Sequence, residues 1–232
     1  MGMKGKVALG AVVGIVVIGA VSANAGNNGK DNGGNDKGSS ASAGHDSDGK
    51  KTAKGKDSGT KAGEKKVAFA GDGEFRVGKD IKPGTYRTTG NSDGMCYWER
   101  AKDAKGEMDS ILSNDNVTGA SYVTVKPTDK IFKSNGCKDW EAVDLKAKAK
   151  GTPASRMAGD GGMFRVGADI APGTYRSTGN TDDSCYWERT KDAKGDMNSI
   201  IANNNVSGTA VVTISASDGY FKTTGCKDWK KA

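Results

Sequence analysis

The feature that most constrains this chain is that it says the same thing twice. Residues 75–140 align without a gap onto residues 164–229 at a constant offset of 89, and 42 of the 66 aligned positions are identical. The shared text runs from FRVGKDIKPGTYR and FRVGADIAPGTYR through CYWER to GCKDW. Such a tandem duplication predicts two similar domains, 67–143 and 159–232, joined by a linker over 144–158. The linker reads DLKAKAKGTPASRMA, in which lysine and alanine favour a turn or two of helix until Gly151 and Pro153 stop it.

Each repeat reads as short strands separated by turn chemistry. In the first copy the segments are EFRVG, TYRTT, MCYWERA, MDSILS, SYVTVK and IFKS, punctuated by Pro83-Gly84, the NSDG stretch and further Asn, Asp and Gly clusters. No segment has the apolar spacing of an amphipathic helix. The expected class is therefore all-β, with two tandem, small, disulfide-closed β-sandwich or barrel domains. Period-two alternation puts Cys96 and Trp98 on one face of their strand and Val123 and Val125 together on one face of theirs, and these faces are the expected core side. Tyr97, Glu99, Tyr186 and Glu188 fall on the solvent side.

A unit of some 75 residues is marginal on its hydrophobic core alone, so a staple is expected. Four cysteines in an exported chain allow three pairings. A repeat that folds alone closes its own bridge, which predicts Cys96 with Cys137 and Cys185 with Cys226. Trp98, Trp140, Trp187 and Trp229 are the expected aromatic core around these bridges. An immunoglobulin domain is excluded, because its core tryptophan lies about a dozen residues beyond the first cysteine, whereas here it lies two residues away.

The N-terminal part has a different character. Residues 1–25 have the layout of a signal peptide: Lys4 and Lys6, the apolar run VALGAVVGIVVIGAVS, and the small-residue site Ala23-Asn24-Ala25. The 16-residue run falls short of the roughly 20 needed to span a bilayer, so no stable membrane insertion is expected after cleavage. Residues 26–66 hold no apolar side chain larger than alanine and predict a disordered Gly, Lys, Asn and Asp-rich tether with a reach of roughly 35 Å. The chain's one histidine, His45, lies in that tether.

Charge follows the same division. Of the net +7, the tether and the linker each hold +3, while the first domain carries 11 basic against 12 acidic side chains and the second 9 against 9. A nucleic-acid binder concentrates lysine and arginine on its domain face, so nucleic acid is not an expected partner. Mobile basic segments suit loose attraction to an anionic envelope polymer.

Catalytic chemistry has little to work with. Neither repeat contains a histidine, the cysteines are committed to bridges, and no CxxC, GxxxxGK[ST] or GxGxxG motif occurs. A carboxylate pair, Glu99 with Glu107 or Asp109, has the residue types of a glycan hydrolase, against a solvated face shared with Arg100, Lys102 and Lys105. The turns NSDGM, TDDS and SNDN carry calcium-type oxygens but no EF-hand spacing. No metal and no cofactor is expected. The leading site is a ligand-binding face of exposed aromatics and charges: Tyr97 with Arg76, Arg87 and Glu99, and Tyr186 with Arg165, Arg176 and Glu188. Its bland counterpart is a cross-strand ladder that only holds the sheet.

The strings VGxDIxPGTYR at residues 77–87, CYWxR at 96–100 and FxxxGCxxW at 132–140, with their equivalents 89 residues on, resemble a β-domain of secreted and lipid-anchored actinobacterial proteins. The resemblance covers both repeats and implies an extracellular domain rather than an activity. Unlike lipid-anchored members, this chain has no cysteine near the cleavage site to acylate. The combined expectation is a secreted or loosely wall-associated, non-enzymatic binding or structural protein whose partner is an extracellular protein or an anionic envelope polymer. A secreted inhibitor or competition protein, and a hydrolase using surface carboxylates, are the alternatives.

Overall fold

The computed structural model describes residues 67–147, 149 and 151–232. The expected signal peptide and tether, with His45, lie outside the described residues. Both repeats fall within one compact unit. The first contains β1 (Val67–Phe69), β2 (Gly73–Arg76), β3 (Gly84–Ala101), β4 (Ile111–Val125), β5 (Ile131–Asn135) and β6 (Trp140–Ala142). The second contains β7 (Arg156–Met157), β8 (Gly162–Arg165), β9 (Gly173–Thr190), β10 (Ile200–Ile214), β11 (Tyr220–Thr224) and β12 (Trp229–Lys231).

The frame of each repeat is one long antiparallel ribbon bent at its middle. In the first repeat, residues 84–88 of β3 pair with 121–125 of β4, and the same half of β3 meets β6, which pairs with β1. Beyond the bend, residues 96–101 pair with 111–117 of β4 and, on the other side, with β5, which pairs with β2. Two four-stranded half-sheets thus share their two longest strands, giving a sandwich whose sheet is not closed.

Six strands per repeat were expected, but not these six. TYRTT and MCYWERA fall in the two halves of β3, while SYVTV and the last half of MDSILS, Ile111 to Ser113, join as β4, with Met108–Ser110 a single 3-10 turn. VAF and WEA supply two short strands that their apolar content did not announce. The reason lies in Asn91. Its amide donates to Gly119 O at 3.0 Å and to Thr88 Oγ1 at 3.3 Å, while its own oxygen accepts Lys138 N–H at 2.8 Å. A residue that signals a turn here stitches a bulged bend from inside, so the ladder continues through it. Asn180 repeats this, bonding Gly208 O at 3.1 Å and Lys227 N at 2.7 Å. The described residues of the linker hold a turn at Leu145 and Lys146 and no helix, and Arg156 and Met157 near its end become β7 on the edge of β12.

Period two places the core as expected. Phe69, Tyr86, Cys96, Trp98, Val117, Val123, Val125, Phe132 and Trp140 form one cluster, and a matching cluster surrounds Tyr175, Phe221 and Trp229 in the second repeat. Phe132 lies between Trp98, stacked at 6.3 Å, and Trp140, edge-on at 5.4 Å. Each buried ring of this kind contributes about 1.5–3 kcal/mol of transfer free energy. The indole N–H groups are satisfied inside, Trp98 by Ser121 Oγ and Trp140 by Ser134 Oγ. Trp187 is the exception among the four tryptophans, half-buried and packed on its cluster from the side. Both bridges close within their own repeat, Cys96–Cys137 and Cys185–Cys226.

Candidate functional site

The repeats meet along a seam that no local pattern in the sequence marks. The edge of β4 lies against β8 and the loop 191–196 of the second repeat. Ala120 N–H donates to Gly161 O at 2.9 Å, Thr124 N–H donates to Ala193 O at 2.7 Å, and Ala120 forms a parallel bridge with Gly162. This single bridge makes one sheet of all twelve strands. Backbone approaches that close require glycine: a Cβ on Gly119 would collide with the Gly161 carbonyl, and one on Gly162 with the Ala120 carbonyl.

Arg100 anchors one end of the seam. Its guanidinium holds Asp129 through two bonds, Nε to Oδ2 at 2.7 Å and Nη2 to Oδ1 at 3.1 Å, and its remaining nitrogen donates to the Lys194 carbonyl of the second repeat. From the sequence, Arg100 is expected on a solvated face beside Lys102 and Lys105. It is instead 1 % exposed, because the loop 191–196 covers it. Around it, Ser113 Oγ donates to Gly195 O at 3.2 Å and Lys126 pairs with Asp196 at 2.7 Å.

At the other end Tyr122 donates to Asp169 Oδ2 at 2.7 Å, lies 5.1 Å from the Tyr220 ring, and joins Met163 and Ala193 in a small apolar cluster. Arg87 lies over the Tyr122 ring at 5.2 Å and within 3.6 Å of Asp169. Burial first, and then the bond to Asp169, drives the Tyr122 phenol far above its ordinary range. The interface is head-to-tail: the second repeat's counterpart of Tyr122, Val211, is 59 % exposed.

Between these ends lies a cleft of about 150 Å³, walled by Trp98, Asp115, Glu188, Asp192, Asp196 and Lys222 among others. The volume is that of a cavity able to hold a ring-sized molecule. Its carboxylates are all engaged. Asp115 pairs with Lys222 at 2.7 Å, Asp196 with Lys126, and Glu188 accepts from Tyr186 Oη at 2.7 Å. Burial acts to raise the Asp192 carboxyl, but bonds from Lys194 and Ser199 outweigh it and hold the group below its usual value. Among the described residues two buried side-chain polar atoms lack a partner, Arg87 Nε and Thr190 Oγ1. Arg87 belongs to the seam and Thr190 to the wall of the cleft.

The residues expected to form one binding face are distributed over several places. Tyr97 and Glu99 do meet, at 2.6 Å, and Asn114 donates to the same phenol oxygen at 3.3 Å. They are half-buried rather than open to solvent, as are Tyr186 and Glu188. Arg76 is held by Asp80 at 2.8 Å, and Arg87 sits on the other half of β3 in the seam. Arg165 donates to Leu145 O at 2.6 Å, while Arg176 is exposed on β9. Of the carboxylates considered for hydrolysis, Glu99 and Glu107 border the same small hollow, whereas Asp109 is turned to Lys102 at 3.3 Å. No group of three or more His, Cys, Asp or Glu among the described residues is arranged to hold a metal ion. The seam residues Arg100, Asp129, Tyr122 and Asp196 went unrecognised. The available signal was that Tyr122 is one of the few positions where a large aromatic in one repeat faces a smaller residue, Val211, in the other.

Comparison with known proteins follows the same two-part division. A family model described as the Rv1352-like extracellular domain matches residues 67–141 and again 155–230. The chain is 33 % identical over 84 residues to the uncharacterised protein Rv1352 of Mycobacterium tuberculosis strain H37Rv, an alignment covering 31 % of this chain and 68 % of the relative. The same figures hold for the uncharacterised protein Mb1387 of Mycobacterium bovis. No solved structure matches the chain significantly. No helix among the described residues is long and apolar enough to cross a membrane.

Proposed function

Because this chain belongs to the Rv1352-like extracellular domain family, with two copies of the domain in tandem, we propose that it acts outside the cell as a non-enzymatic binding protein whose repeats work as one body on the envelope. The observation that carries this reading is the state of the inter-repeat cleft. Asp115, Glu188, Asp192 and Asp196 crowd a small volume, yet each is already engaged by a lysine, a phenol or a hydroxyl. Such a site offers contacts rather than the free acid and base that hydrolysis needs. Glu99 is likewise committed to Tyr97.

A fused pair binds differently from two modules on a string. Independent modules gain affinity through the effective concentration set by their linker. Here the seam fixes the spacing, so a partner meets one composite surface, and that surface suits an extended envelope polymer or the face of another extracellular protein. The test is sedimentation of the full chain with isolated cell walls. Retention that survives washing at low salt is expected; protein left wholly in the supernatant, or soluble fragments released from the walls in step with added protein, would refute the reading.

A further inference from the structure

Three strands at the far side of the second repeat bring cations into direct register. Lys230 on β12 is paired with Arg156 on β7 on one side and with Arg176 on β9 on the other. Residues directly opposite in a ladder share a face and stand about 5 Å apart, a placement in which like charges destabilise the sheet. The inner neighbours, Trp229 and Met157, are buried, so the three cations point outward, and all three are exposed. Among the described residues none of the three has a side-chain hydrogen-bond or ion-pair partner.

The first repeat shows what this row replaces. At the corresponding positions, Val67 pairs with Glu141, which pairs with Arg87, so the same row there carries one acid against one base. The two copies differ here by Val67 against Arg156 and Glu141 against Lys230, so a compensated row in one repeat is a purely cationic row in the other. Next to it, Lys227 and Lys231 complete a groove of about 680 Å³, within the size range of ligand sites. The acidic side chain in the lining, Asp228, is engaged with the backbone of Gly159 at 3.2 Å.

We infer that this row is a binding site for a linear oxyanion polymer, phosphate-bearing and running across β7, β12 and β9. The repulsion built into the register is relieved when one anionic group lies between each pair of cations. Two guanidinium forks flanking a lysine suit phosphate oxygens in particular. The net neutrality of the second repeat conceals the site, because its acids other than Asp228 lie elsewhere. The inference deepens the envelope-binding reading and rests on it for its biological setting, but its chemistry is separately testable.

The experiment measures binding of the full chain to long-chain polyphosphate across a salt series. Binding is expected at about 50 mM salt, with log K falling against log salt at a slope of about −2 to −3, as three or four neutralised cations require. Lys230→Glu, which installs the acid of the first repeat, is expected to weaken binding about tenfold or more and to flatten the slope by about one. Arg156→Val should weaken it several-fold. Lys138→Glu, the same charge change at the first repeat's counterpart of Lys227, should leave it within about twofold. No binding at low salt, or an equal loss in Lys138→Glu, would overturn the site. So would inorganic phosphate binding as tightly as the polymer, or capture by phosphatidylglycerol vesicles without capture by polyphosphate. Wall retention that fails while polyphosphate binding persists refutes the functional reading and keeps the site; the reverse outcome removes the site and keeps the reading.

Discussion

Arg100 and Asp129 form a two-bond ion pair with side chains 1 % and 0 % exposed, whereas the identical pair in the second repeat, Arg189 and Asp218, keeps its arginine 21 % exposed. The same two residues thus do two jobs. In the second repeat they tie β9 to the turn before β11. In the first they do this and also grip the neighbouring repeat through the Lys194 carbonyl.

That asymmetry yields a direct comparison. Arg100→Leu strands Asp129 as an uncompensated buried charge and removes a seam contact, which should cost about 3–5 kcal/mol. Arg189→Leu, at a partly hydrated pair, should cost clearly less, about 1–2 kcal/mol. Urea denaturation of both variants, followed by tryptophan fluorescence, checks the order.

The bend in the ribbon gives a second matched pair. Gly119 and Gly208 both have left-handed φ, 75° and 79°, but only Gly119 faces the Gly161 carbonyl, while Gly208 looks into open space. Gly208→Ala should cost about 1 kcal/mol for its backbone conformation. Gly119→Ala should cost several times as much, because the seam has to move. Thermal melts of the two variants read the difference.

The disulfides predict a larger loss. Each closes a span of 41 residues, worth about 4 kcal/mol through the unfolded chain. That is comparable with the whole stability of so small a domain. Replacing Cys96 and Cys137 by serine should therefore destabilise both repeats together, seen as one transition at a much lower urea midpoint by near-ultraviolet circular dichroism, rather than loss of the first repeat alone.

Alkaline pH should weaken the seam. Burial pushes the Tyr220 phenol up to about 12, and Tyr122 is raised further by burial and by Asp169. The folded state therefore holds these protons where the unfolded chain, with an ordinary phenol value near 10, releases them. Their contribution is complete below about pH 10 and is lost as pH rises from there toward 12. Denaturation midpoints across this range should fall, and Tyr122→Phe should reduce the fall.

Much of the molecule was legible before any coordinates. Identity between the copies marked two repeats, cysteine spacing marked the bridges, and alternation placed Trp98, Val123 and Val125 inside. The bend was misread because Asn91 and its glycine neighbours have the composition of a turn whether the chain reverses or merely bulges. The seam was hidden for a different reason. Arg100 and Arg189 sit in the same CYWER string, so no reading of local sequence separates the buried one from the half-exposed one. What separates them is the neighbour each repeat has, and a head-to-tail pair gives its two members different neighbours.

The central claim is that the two repeats form one cooperative body, and calorimetry of the oxidised full chain tests it most directly. A single transition with calorimetric and van't Hoff enthalpies in agreement is predicted, splitting into two in Arg100→Leu. Two resolved transitions in the unaltered chain, each of the enthalpy expected for one repeat, would contradict it.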